Sequence, residues 1–125
     1  MQRLVAAALF GGLLVAASPA GSHHSAAMYD RDKTITVQGV VKSWQFSNPH
    51  TWLEVVAADP AGGEKVWGFE SSGASGLMRA GIKRNTFLPG EKISVRTHPL
   101  KDGRPGGQFI DATKADGTVI GREGV

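Results

Sequence analysis

Four histidines are the residues of this chain best suited to chemistry, and none lies in the middle of an apolar run. His23 and His24 are adjacent near the start, His50 follows Asn48-Pro49, and His98 precedes Pro99. Imidazole is a common transition-metal ligand, and a square plane of nitrogen donors favours Cu(II) or Ni(II). The chain has no cysteine, which excludes a thiolate site, a disulfide and a cysteine nucleophile. A metal site in this chain therefore draws on His23, His24, His50 and His98. Each histidine also has a plain structural reading. The pair can be a solvated tail, His50 can bond a loop carbonyl, and His98-Pro99 can simply end a strand.

The histidine pair gains interest from what precedes it. Met1-Gln2-Arg3 is a short basic start, Leu4–Ala17 is apolar, and Ser18–Ser22 is a run of small residues and one proline. That order is the pattern of an export signal, and the apolar stretch is shorter than the roughly 20 residues a membrane span needs. The segment 1–20 is thus expected to be removed, with a cut after Ser22 as the other option. Cutting after Ala20 exposes Gly21-Ser22-His23, whose amine, two amide nitrogens and imidazole can close a square plane around Cu(II) or Ni(II). Cutting after Ser22 makes His23 the terminal residue, whose amine and ring can chelate one copper together with another imidazole. The mature protein is expected in the periplasm or secreted, with no transmembrane segment. Residues 21–33 read as a flexible, histidine-containing arm.

A second kind of chemistry rests on aromatic and cationic side chains. Trp44, Phe46, Trp52, Trp67 and Phe69 are concentrated in the first half of the body. Most belong in a core. Trp52 is the best candidate for exposure, because Leu53 and Val55 already supply an inward face. Together with Arg96, Lys101 and Arg104 it could bind a small ligand, a glycan, a peptide or another envelope protein. The formal net charge of +3 is too mild to argue for nucleic acid, and export argues against it as a partner. Gly73-Ala74-Ser75-Gly76-Leu77 misses the nucleophile-elbow pattern at its last position. With no phosphate loop or zinc-protease pair either, the reading is a binding domain with no catalytic residue.

These residues must be positioned by short strands. Seventeen glycines and many alternating runs indicate a β-rich domain. Ile35 and Val37 share one parity, whereas Val40, Trp44 and Phe46 share the other. That slip requires a bulge or bend, expected at Gly39. Further strands are expected at 52–57, 65–70, 92–97 and 108–114, with a short return at 118–120 after Asp116-Gly117. Between the third and fourth lies a short helix, with Ser75 as N-cap and Leu77, Met78 and Ile82 as its apolar stripe. The body, 34–125, is expected to be mainly β: a small five-to-six-stranded barrel of the oligonucleotide/oligosaccharide-binding (OB) type, with one short helix between strands three and four. An open α+β roll is the competing arrangement. In the barrel, the loops holding His50 and His98 border one face.

Several segments carry a family resemblance. They are His23-His24-Ser25, Thr34–Val41, Asn48-Pro49-His50-Thr51-Trp52, Leu77–Arg84, Leu88-Pro89-Gly90, His98-Pro99-Leu100-Lys101-Asp102-Gly103 and Asp116-Gly117. In this order they resemble a family of small exported bacterial proteins catalogued as domain of unknown function six-one-five-two. The resemblance implies a secreted, barrel-like domain and no particular activity.

Overall fold

A computed structural model describes residues 26–121. The segment 1–20, His23, His24 and the rest of 21–25 lie outside the described residues. Six strands follow a short 3-10 turn at Ala26–Met28: β1 (Ile35–Gln45), β2 (His50–Ala58), β3 (Glu64–Ser72), β4 (Lys92–Pro99), β5 (Gly106–Lys114) and β6 (Val119–Gly121). The helix α1 (Ala74–Arg79) lies between β3 and β4. Antiparallel pairing runs β3-β2-β1-β4-β5-β6, and a parallel pairing of β3 with β5 closes five strands into a barrel. This is the OB-like arrangement, with β6 added outside the ring. The open roll is excluded by the closure.

Alternation builds the interior. Leu53, Val55 and Ala57 of β2 face Phe69 of β3, Ile93 and Val95 of β4, and Phe109 and Ala112 of β5. Trp67 stacks on Phe69 at 6.2 Å and 13°. A second apolar cluster of Phe46, Ala74, Leu77 and Ile82 lies under α1. Trp44 joins the two: its ring meets Phe87 edge-on at 5.1 Å, and its Nε1–H donates to the Lys83 carbonyl.

The slip in β1 is real, but it falls three residues later than the sequence suggests. Pairing with β2 passes from Val41↔Val55 to Ser43↔Glu54, so Lys42 is the extra residue of a bulge. Val40 is consequently exposed and Val41 buried. Gly39 serves a different need: a Cβ there would lie 2.2 Å from the Val56 carbonyl oxygen, so the tightly coiled strands touch at backbone level.

The helix also differs. It spans only six residues and its N-cap is Gly73, not Ser75. The capping oxygen comes from the β1–β2 loop, where Asn48 Oδ1 accepts from the Ser75 amide at 3.2 Å. Met78 is exposed, and Leu77 and Ile82 carry the apolar contact. Residues 26–33 are docked against the barrel. Asp30 N–H donates to the Pro99 carbonyl, Lys101 N–H donates to the Met28 carbonyl, and Tyr29 is buried.

Candidate functional site

The outer face where β2, β3 and β5 meet carries a row of side chains in register. Trp52 pairs with Glu70, Glu70 with Gln108, and Gln108 with His98. All stand on the parity opposite to Leu53, Phe69 and Phe109, so they point away from the core. Glu70 is nonetheless only 8% exposed. The arm covers it: Tyr29, laid across the strands, donates its hydroxyl to Glu70 Oε2. His50, the first residue of β2, places Nδ1 3.1 Å from Glu70 Oε1. Both carboxylate oxygens are therefore held, one by a phenol and one by an imidazole.

The electrostatics follow from this geometry. An ionised carboxylate only accepts hydrogen bonds, so His50 Nδ1 carries a proton and, in the neutral ring, the lone pair resides on Nε2. Burial, and then the hydrogen bond to Glu70, pushes the Tyr29 phenol well above its ordinary ionisation range. The group is a phenol–carboxylate–imidazole chain on the surface of the barrel.

Two hollows flank this chain. The first, about 400 Å³, is lined among others by Met28, Tyr29, Trp52, Glu70 and Arg104. Trp52 forms its flat wall. The indole lies across β3, and a Cβ at Gly68 would come within 2.8 Å of its Cζ2. Gly68 thus lets the ring lie down on the sheet with its edge and outer face exposed. Arg104 also lines this hollow, its Nε donating to Asp102 Oδ2 at 2.7 Å. The second hollow, about 230 Å³, includes Ala26, Tyr29, His50, Glu70, Ser72 and Gln108 in its lining.

The residues singled out by sequence divide between these hollows and other places. Trp52 and Arg104 come together. Lys101 is exposed, and its main chain is tied to Met28. Arg96 forms a bidentate ion pair with the buried Asp111, with Nε donating at 2.9 Å to Oδ1. His98 lies within β4, where its Nδ1 donates to the Lys33 carbonyl at 2.7 Å. β2 and β4 each flank β1 and are not neighbours, and His50 and His98 have different partners, Glu70 and the Lys33 carbonyl. Among the described residues, no three His, Asp or Glu side chains gather in a metal-ligating group. Glu70 and Tyr29 were not among the expected site residues. The available signals were a carboxylate immediately after the inward Phe69 and the chain's one tyrosine.

The family of unknown function DUF6152 matches over residues 10–109. This chain is a member of that family. The match spans the arm, the first four strands and the start of β5, and so includes Tyr29, His50, Trp52, Glu70 and Arg104. No curated protein and no solved structure matches the chain. Among the described residues, no helix is long and apolar enough to cross a membrane.

Proposed function

We propose that this protein is an exported, non-enzymatic binding domain whose ligand is a saccharide, held in the hollow between Trp52 and Arg104. The observation that carries this reading is the indole of Trp52 lying flat over Gly68 in the same hollow as a buried carboxylate and a guanidinium. A sugar ring has an apolar C–H face and a rim of hydroxyls. The first suits the electron-rich face of an aromatic ring. The second needs acceptors and donors: each Glu70 oxygen retains a lone pair beyond its present bond, and Arg104 has N–H groups besides the one given to Asp102. The hollow falls within the range of about 300–1,000 Å³ typical of small-molecule sites. Export supports the reading further, because envelope glycans are available there and oligonucleotides are not.

Titration of the processed protein with neutral oligosaccharides, followed by tryptophan fluorescence, tests the proposal. Saturable change that disappears in Trp52→Ala is expected. Saturation by peptides or oligonucleotides in place of saccharides, or a response that survives Trp52→Ala, overturns it.

A further inference from the structure

The charges around the Trp52 hollow do not cancel, and the surplus is negative. Glu70 and Arg104 are the two charged residues in its described lining. Arg104 already has a counter-charge. Asp102 accepts from its backbone N–H at 3.0 Å and from its Nε at 2.7 Å. Glu70 has no cationic partner of that kind among the described residues. Tyr29 brings a phenol, and His50 brings an imidazole that carries no charge in its neutral form. The carboxylate is therefore hydrogen-bonded but not neutralised. Because Glu70 is almost wholly buried, its charge is screened less than that of a surface carboxylate.

An aromatic face stands beside this charge. Trp52 and Glu70 are register partners on β2 and β3, and such cross-strand neighbours hold their Cβ atoms about 4.5–5.5 Å apart. Glu70 also follows Gly68 by two residues, so the indole that lies over Gly68 borders the carboxylate on the same face of the sheet. A carboxylate and the face of an indole attract the same kind of group. An ammonium has several N–H donors for the free lone pairs of Glu70, and its charge is drawn to the electron-rich ring. A sugar hydroxyl or an acetamide offers a single donor and no charge. The chain as a whole opposes a cation, with a formal net charge of +3, so attraction of an amine has to arise locally.

We propose that the saccharide held in this hollow is an amino sugar with a free amine, its ammonium seated between Trp52 and Glu70. The proposal rests on the saccharide reading above and adds the group that selects among sugars. Arg104 then serves the hydroxyl rim, and Asp102 offsets the guanidinium charge that would otherwise repel the amine.

The test is titration of the processed protein at neutral pH and low salt with three disaccharides of one backbone, followed by tryptophan fluorescence. Cellobiose, N,N′-diacetylchitobiose and the deacetylated diamine of the latter differ only in carrying hydroxyl, acetamide or amine at the same ring carbons. The diamine should bind about tenfold tighter than either neutral sugar, the scale of one charge-assisted contact. Glu70→Gln should erase that preference while weakening the neutral sugars less, with an unchanged circular dichroism spectrum. Asp102→Asn leaves Glu70 in place but removes the counter-charge of Arg104, and should lower the preference severalfold. If Glu70→Gln does not fold, Asp102→Asn decides, and a preference it leaves unchanged overturns the proposal. Asp111→Asn removes a carboxylate elsewhere on the outer wall and should leave the preference intact. A preference that survives Glu70→Gln, or that falls equally in Asp111→Asn, overturns the proposal. Equal binding of all three disaccharides also overturns it but leaves the saccharide reading standing. Absence of any Trp52-dependent response to the three, or equal affinity for putrescine, a diamine without a sugar ring, overturns both.

Discussion

Two carboxylates are buried on the outer wall of the barrel, and they are held in opposite ways. Asp111 on β5 is 6% exposed and is met by the fork of Arg96 from the neighbouring strand. Its formal charge is matched by a permanent cation. Glu70 on β3 is about as buried, yet its described partners are a neutral phenol and an imidazole. The first arrangement is electrostatically closed. The second leaves negative charge at the edge of two hollows, in a position to meet an incoming donor or cation. Similar burial alone thus separates nothing; the charge of the partner distinguishes a pair that braces the barrel from one that can serve a ligand.

The largest effect on stability is expected from opening the closed pair. Asp111→Asn removes the carboxylate that the Arg96 fork meets and should cost about 1.5–3 kcal/mol in chemical denaturation, the scale of hydrogen bonds to charged groups. Saccharide binding should persist. If binding falls together with stability, the two carboxylates are not functionally distinct. Glu70→Gln should show the reverse: a loss of about 1 kcal/mol, since an amide can still bond Tyr29 and His50 in part, but with the saccharide response impaired.

Tyr29 offers a direct reading of the open pair, because it is the only tyrosine in the chain. Its phenolate absorbance should remain undeveloped well above the ordinary value of 10.0 while the protein stays folded. Above that value the unfolded chain has lost a proton that the folded chain retains. The stability contributed by Tyr29 is therefore intact below pH 10 and declines as pH rises further. In Glu70→Gln the titration should move back toward the ordinary value. A wild-type titration at that ordinary value would show that the arm does not dock as described.

The smallest effect is expected at the rim. The Arg104 backbone N–H, followed by its guanidinium, holds the exposed Asp102 carboxyl below the usual carboxylate range. That contribution is present at neutral pH and is lost as pH falls through the lowered value. Because the pair is in water, Asp102→Asn should leave Tm unchanged and affect only saccharide affinity, through the freed Arg104.

The same two regions show what could be read from the chain. Alternation over 52–57 predicts that Leu53 and Val55 point inward and that Trp52 stands outside, and the structure has this arrangement. The five strands, the short helix and the OB-like closure were equally legible, since each follows from local periodicity and turn residues. The bulge was displaced from Gly39 to Lys42 because a glycine in a strand can signal either a bend or a close approach, and here β2 approaches. Helix capping was misread because the accepting oxygen, Asn48 Oδ1, belongs to a distant loop. Glu70 was missed for a similar reason. Nothing near it in sequence shows that Tyr29 covers it and His50 holds it, and a carboxylate on an outward parity ordinarily lies in water. Conversely, Arg96 looked like a free cation because its partner arrives from the next strand.

The position of Ala26 has a practical bearing on how this protein is produced. A polyhistidine tag fused ahead of residue 26 would deliver a surplus of imidazoles to the mouth of the hollow that contains His50. Metal carried from an affinity resin would then be retained there for reasons unrelated to the native chain. At the other end, Gly121 borders a separate recess formed with Leu77 and Ile82. A cleavable tag beyond residue 125 leaves that hollow unobstructed.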